Sequence, residues 1–204
     1  MLRFTTSVAQ RQLFILHPSS FILRVILHPS PHPSSGTLRL VQRARLLFIL
    51  KFLLLVTVLY VAISLEAVDR TFIASFTHGL TVASAGLLRL CGVNVQVNGT
   101  TMRDAAFAVD VKNGCNGIEA LILLVSAIVA FGGPWKARVA GVIGGALFIE
   151  IINLIRIATL FEIGKTHPAL FEQFHLVIWQ SAIILLSVVF FVIWSSRVAP
   201  RAAA

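Results

Sequence analysis

From Leu46 to Leu65 the chain carries a single charge, Lys51, and Arg39, Arg43 and Arg45 stand just ahead of it. About twenty residues of apolar helix cross a hydrocarbon layer of roughly 30 Å. Backbone placed there must satisfy its own hydrogen bonds, which leaves helices or closed barrels as the available folds. Lys51 lies close enough to the basic end to snorkel, and the arginines place the N-terminus of this first span in the cytoplasm. The other apolar stretches are also of helical length, and 57% of residues are hydrophobic against 12% charged. The expected fold is an all-α multi-span membrane protein, with about four transmembrane helices, one interfacial helix and a small extracytoplasmic β-hairpin.

Residues 1–37 read differently. Leu13-Phe14-Ile15-Leu16-His17-Pro18-Ser19-Ser20 is nearly repeated as Val25-Ile26-Leu27-His28-Pro29-Ser30, and Pro31-His32-Pro33-Ser34-Ser35 follows. Runs this short, broken by Pro and Arg, neither span a bilayer nor make an ordinary signal peptide. The segment is expected to be a disordered low-complexity extension, set apart from a membrane domain at 38–204. A native translation start between residues 38 and 45 is a further expectation. Repeat drift accounts for His17, His28 and His32 more simply than a metal tract does.

Between Thr71 and Leu90, Phe72, Phe76, Leu80, Ala83, Leu87 and Leu90 share one helical face, which predicts an amphipathic helix lying at the outer surface. Val93, Val95 and Val97, then Phe107, Val109 and Val111, alternate about an Asn98-Gly99 turn signal and predict a hairpin. Gly117 to Phe131 is a second span. Gly132 to Arg138 is a basic cytoplasmic turn, and a third span from about Val139 to Phe161 carries Gly141, Gly144 and Gly145 for close helix packing. The last span runs from about His175 to Trp194 and ends near Arg197 and Arg201. With the basic ends inside, Cys115, Arg156 and His175 share the outer face of the membrane. Trp179 and Trp194 are expected in the interfacial belts.

Cys115 stands at or just before the first turn of an apolar helix, where free N–H groups and the helix dipole favour a thiolate. The competing readings are a small apolar residue or a disulfide with Cys91. Arg156 lies about one turn below the outer end of its span, where an arginine is costly. It either snorkels or pairs with a glutamate, or it faces Cys115 and stabilises an oxyanion. Asn153, one turn earlier, is placed to orient it. His175 is the candidate general acid/base, and His167 is its rival. Glu119, four residues after Cys115, either steadies Arg156 or raises the thiol pKa. Glu150 is a buried partner or a polar packing contact. The net charge of +9 is scattered beside apolar runs without interleaved aromatics, which argues against nucleic acid as a partner. No Cys/His pair has zinc-ligand spacing, and neither a metal nor a cofactor is expected.

Asn113-Gly114-Cys115-Asn116-Gly117-Ile118-Glu119, then Asn153-Leu154-Ile155-Arg156-Ile157, then His175-Leu176-Val177-Ile178-Trp179-Gln180 resemble the exosortase/archaeosortase family of membrane transpeptidases, most closely exosortase H. The likeness covers about residues 46–195. Glu150 departs from it, and the leading repeats have no counterpart. By that resemblance Cys115 matches the family nucleophile, Arg156 its essential arginine and His175 its histidine.

The resemblance implies an exosortase-like membrane domain at 38–204, a cysteine protease/transpeptidase of the inner membrane. It would cleave C-terminal sorting signals of exported proteins through a thioester and transfer or release them, with its active site on the extracytoplasmic side. Such signals combine a short motif, of Ile-Pro-Thr-Leu type for exosortase H, with a transmembrane helix and a basic tail. Membrane lipid is the other expected partner. The alternative is a non-enzymatic membrane scaffold with a structural cysteine. A transporter is a weaker reading, because neither an inverted repeat nor an interrupted helix pair is evident.

Overall fold

A computed structural model describes residues 35–198. The histidine-containing repeats therefore lie outside the described residues, whereas the expected start of translation at 38–45 falls within them. Residues 35–37 are helical rather than part of a disordered extension, because α1 runs as one helix from Ser35 to Ser64. The chain turns at Leu65, passes through the short turn Glu66–Val68 and the π-helical turn Asp69–Ile73, and enters α2, Ala74–Leu90. Three short strands follow: β1 Gln96–Asn98, β2 Thr101–Arg103 and β3 Ala108–Asp110. They form one antiparallel sheet in the order β1-β2-β3. Next come α3, Ile118–Phe131, and α4, Trp135–Thr166. Short turns across Pro168–Trp179 then lead into α5, Gln180–Val198.

α3 is the central helix. It is apolar all round and packs on α1, α4 and α5, as a helix with no polar face must. At 14 residues it is shorter than the twenty or so expected of a span. It nevertheless runs alongside α1 over its whole length. Ile118 and Ile122 pack with Leu59 and Ile63, while Phe131 and Phe48 both meet the ring of Phe191, at 5.7 and 6.4 Å. α1 and α3 therefore run antiparallel and in step, and α1 shields the shorter helix from lipid.

α2, with its leading turn, is long and apolar enough to cross a membrane, yet both its ends pack at one end of the bundle. Ile73 and Phe76 join the end of α1 and the start of α3. Leu80, Ala85 and Leu88 join the sheet residues Val95, Met102 and Val111 and the last turns of α4 at Ile157, Ala158 and Phe161. A helix that starts and finishes at the same end lies across it. The crossing helices are therefore α1, α3, α4 and α5, as expected, with α2 and the sheet as a cap. The buried face of α2 is a correction: it consists of Thr77, Leu80, Thr81, Ser84, Ala85 and Leu88, while Phe72 and Leu90 are exposed. Small side chains permit close packing on the bundle, and large apolar ones lose nothing by facing lipid.

The sheet has one strand more than the expected hairpin. The β1–β2 turn is Gly99-Thr100, one residue later than the Asn98-Gly99 signal, with Gly99 at φ +61°, and the middle strand Thr101–Arg103 buries only Met102. The turn after β2 is held by Asp104, whose Oδ1 accepts the N–H groups of Ala106 and Phe107 at 2.8 Å each. Its Oδ2 meets Lys165 Nζ of α4 at 2.6 Å. These bonds hold the Asp104 carboxyl down to about 2. A lowered folded-state pKa gives stability that is present above the ordinary aspartate value and lost as pH falls through the folded one. Pepsin cleavage of the 99–107 turns is accordingly expected to accelerate between pH 4 and 2, and Asp104→Asn to cleave at a rate nearly independent of pH. Equal pH dependence in both proteins would overturn the assignment.

The basic turn is shorter than expected. Gly132-Gly133-Pro134 alone is non-helical, and Lys136 and Arg138 lie in the first turn of α4. Trp194 is also more than a belt residue: its Nε1 donates to Ala137 O at 3.1 Å and its ring lies on Gly141.

Candidate active site

The Lys112–Gly117 loop enters α3 beneath the α2 cap. Gly114 and Gly117 have φ of +90° and +78°, a region that side chains with a Cβ seldom adopt. Cys115 between them is half-buried, and its N–H donates to Lys112 O at 2.9 Å. Two asparagines pin the loop to the cap. Asn116 Nδ2 donates to Thr77 Oγ1 at 3.0 Å and to Asn113 Oδ1 at 3.2 Å, and Asn113 Nδ2 donates to Asp69 Oδ1 at 2.9 Å. The sequence reading assigned these residues no role, although the i, i+3 spacing of Asn113 and Asn116 in an apolar chain was the available signal.

His175 does not open a helix. It lies inside the π-helical turn Phe174–Trp179, a geometry that recurs at functional sites. This turn brings the imidazole to the thiol: Cys115 Sγ and His175 Nε2 are 2.6 Å apart. The ring of Phe171 flanks the imidazole at 5.7 Å. Arg156, 2% exposed, donates through Nη2 to His175 O at 3.4 Å. Residues separated by up to 60 positions in the chain thus converge at one end of the bundle.

The rival and supporting residues fall elsewhere or act differently. His167 is exposed and bonds its neighbour Thr166. Cys91 and Cys115 are both free thiols, so no disulfide joins them. Glu119 accepts the Gly114 N–H at 2.9 Å, which fixes the turn before the thiol. Asn153 is fully buried beside Gly117 and does not bond Arg156; neither of its polar side-chain atoms has a partner among the described residues. Glu150 likewise has no partner there.

The thiol departs from the expected lowering of its pKa. Burial pushes Cys115 up, the nearby Arg156 charge pulls it down, and Glu119 adds to the rise. Cys115 precedes the helix by a left-handed glycine turn, so the dipole at the start of α3 acts on it weakly.

An alanine at Gly117 would place its Cβ 3.1 Å from Asn153 Nδ2 in a left-handed backbone. Gly117→Ala is therefore expected to destabilise the protein by about 1–2 kcal/mol through backbone strain alone, read as a lower Tm in detergent. An unchanged Tm would refute this.

A family model described as transmembrane exosortase (Exosortase_EpsH) matches residues 12–196, nearly the whole chain and more than the resemblance covered. The chain belongs to this family. No curated protein and no solved structure matches it. Membership of the exosortase family, with several long apolar helices, makes this an integral multi-pass membrane protein and supports a membrane transpeptidase or protease role.

Proposed function

We propose that the chain is a cysteine protease/transpeptidase of the inner membrane, acting on its extracytoplasmic side on exported proteins that carry a C-terminal sorting signal. The observation that carries this reading is the 2.6 Å approach of Cys115 Sγ to His175 Nε2, with the Arg156 guanidinium on the same histidine. A half-buried thiol with a raised pKa needs a base at hand, and the imidazole takes its proton as the substrate closes. The thiolate attacks the scissile carbonyl carbon and forms a C–S bond, while Arg156 neutralises the oxyanion. As the tetrahedral species collapses, the C–N bond breaks and the imidazolium protonates the leaving amine. That amine carries away the signal's transmembrane helix and basic tail. The thioester then passes its acyl group to an acceptor nucleophile, or to water, with His175 taking the proton of either.

The test is co-expression with an exported protein bearing an Ile-Pro-Thr-Leu type signal, with the substrate's new C-terminus read by mass spectrometry. A truncated terminus with an added group means transfer, and a free carboxylate means hydrolysis. Intact substrate across a panel of such signals would sink the proposal.

A further inference from the structure

Three positions spaced three residues apart on α4 hold buried side-chain atoms with no hydrogen-bond partner among the described residues: Glu150 Oε1 and Oε2, Asn153 Nδ2 and Oδ1, and Arg156 Nε. They climb the helix toward His175 over roughly 9 Å, at about 1.5 Å per residue. Asn153 is 0% exposed and Arg156 2%. A buried amide with neither atom bonded is destabilising, and such a group calls for a physical explanation. Its position suggests one. The Asn153 amide abuts Gly117, where an added Cβ would meet Nδ2 at 3.1 Å, and Cys115 lies just two residues before that glycine.

The proposed reaction creates a matching need on the substrate. The scissile bond lies ahead of the signal's transmembrane helix, in a short motif whose proline in the Ile-Pro-Thr-Leu type disfavours helix, so its backbone reaches the thiolate extended and without helical partners. Extended backbone at membrane depth is tolerated only where protein supplies the missing partners. Each extended residue presents one N–H and one C=O, and about three such residues match the length of the α4 ladder. The Asn153 amide offers one acceptor and one donor, Arg156 Nε offers a donor, and Glu150 offers acceptors.

We propose that Asn153, flanked by Arg156 Nε and Glu150, binds the extended main chain of the sorting signal's motif beside the scissile bond. This rests on the reading of Cys115 as nucleophile. It gives Asn153 a direct contact with substrate in place of the expected orientation of Arg156, which no hydrogen bond supports.

The test uses full-length enzyme in lipid nanodiscs and an exported protein bearing an Ile-Pro-Thr-Leu type motif, a transmembrane helix and a basic tail. Asn153→Leu keeps the shape and removes the amide. Its kcat/KM is expected to fall at least roughly tenfold, mainly through KM, while the Tm of the substrate-free enzyme holds or rises. In a Cys115→Ala background the same change is expected to weaken substrate binding by a similar factor. Wild-type kcat/KM in Asn153→Leu overturns the proposal, and so does lost activity with a lower Tm and unchanged affinity. Glu150→Leu is expected to raise KM and Glu150→Gln, which keeps an acceptor oxygen, to leave it near wild type; the reverse order removes Glu150 from the site. If cleavage persists in Cys115→Ala, the nucleophile assignment fails, and the affinity measurement still decides the role of Asn153.

Discussion

Cys115→Ala is expected to abolish cleavage of the sorting signal, lowering turnover by at least about a thousandfold, with abundance and Tm close to wild type. The fold tolerates the change because the loop is held by other residues. Asn116 and Asn113 tie it to the α2 cap and Glu119 ties it to α3, while the Cys115 side chain is only half-buried. Abundance separates this reading from a structural cysteine, for which Cys115→Ser would deplete the protein from the membrane. Cleavage continuing in Cys115→Ala at normal enzyme levels would refute the nucleophile. The direction of the thiol pKa adds a second measurement. Because burial raises it, the thiol form dominates at neutral pH and the thiolate fraction grows about tenfold per pH unit up to the pKa. Alkylation of Cys115 in the substrate-free enzyme is therefore expected to quicken steadily as pH rises above 7. A rate already at its plateau at pH 6 would contradict the burial argument.

The residues that converge at the site were legible because each is costly where it stands. An arginine inside a span, a histidine near a span's end and a thiol at a polar-to-apolar junction all demand explanation, and three ordered motifs supplied one. Chain direction was legible too, since Lys136, Arg138, Arg197 and the leading arginines set which helix ends share a side. What escaped was set by packing. The inward face of α2 is marked by Thr77, Thr81 and Ser84 rather than by Phe72 or Leu90, since in a lipid setting large apolar residues are no guide to the interior. The middle strand Thr101–Arg103 has one apolar residue and so no alternation to read. The lone state of Asn153 was hidden as well, because helical spacing places it near Arg156 but does not reveal whether the two bond.

Arg156→Lys is expected to lower kcat by about a hundred- to a thousandfold, the range seen when an oxyanion donor is lost, without loss of folded protein. Lysine keeps the charge but loses the planar fork. It presents a compact, strongly hydrated ammonium where the guanidinium reaches His175 O with Nη2 and leaves Nε free, so it cannot hold the histidine backbone and the oxyanion together. Arg156→Met sharpens the test. An arginine buried at membrane depth costs at least about 2.5 kcal/mol on insertion scales, and no salt bridge to it is present among the described residues. Removing it is therefore expected to leave Tm unchanged or raised while cleavage is lost. A scaffold in which Arg156 serves packing alone makes the opposite forecast, with Arg156→Lys tolerated and Arg156→Met unfolding. Stability and activity thus move apart if Arg156 serves the reaction and together if it serves the fold, and measuring both on the two variants separates the cases without knowledge of the acyl acceptor.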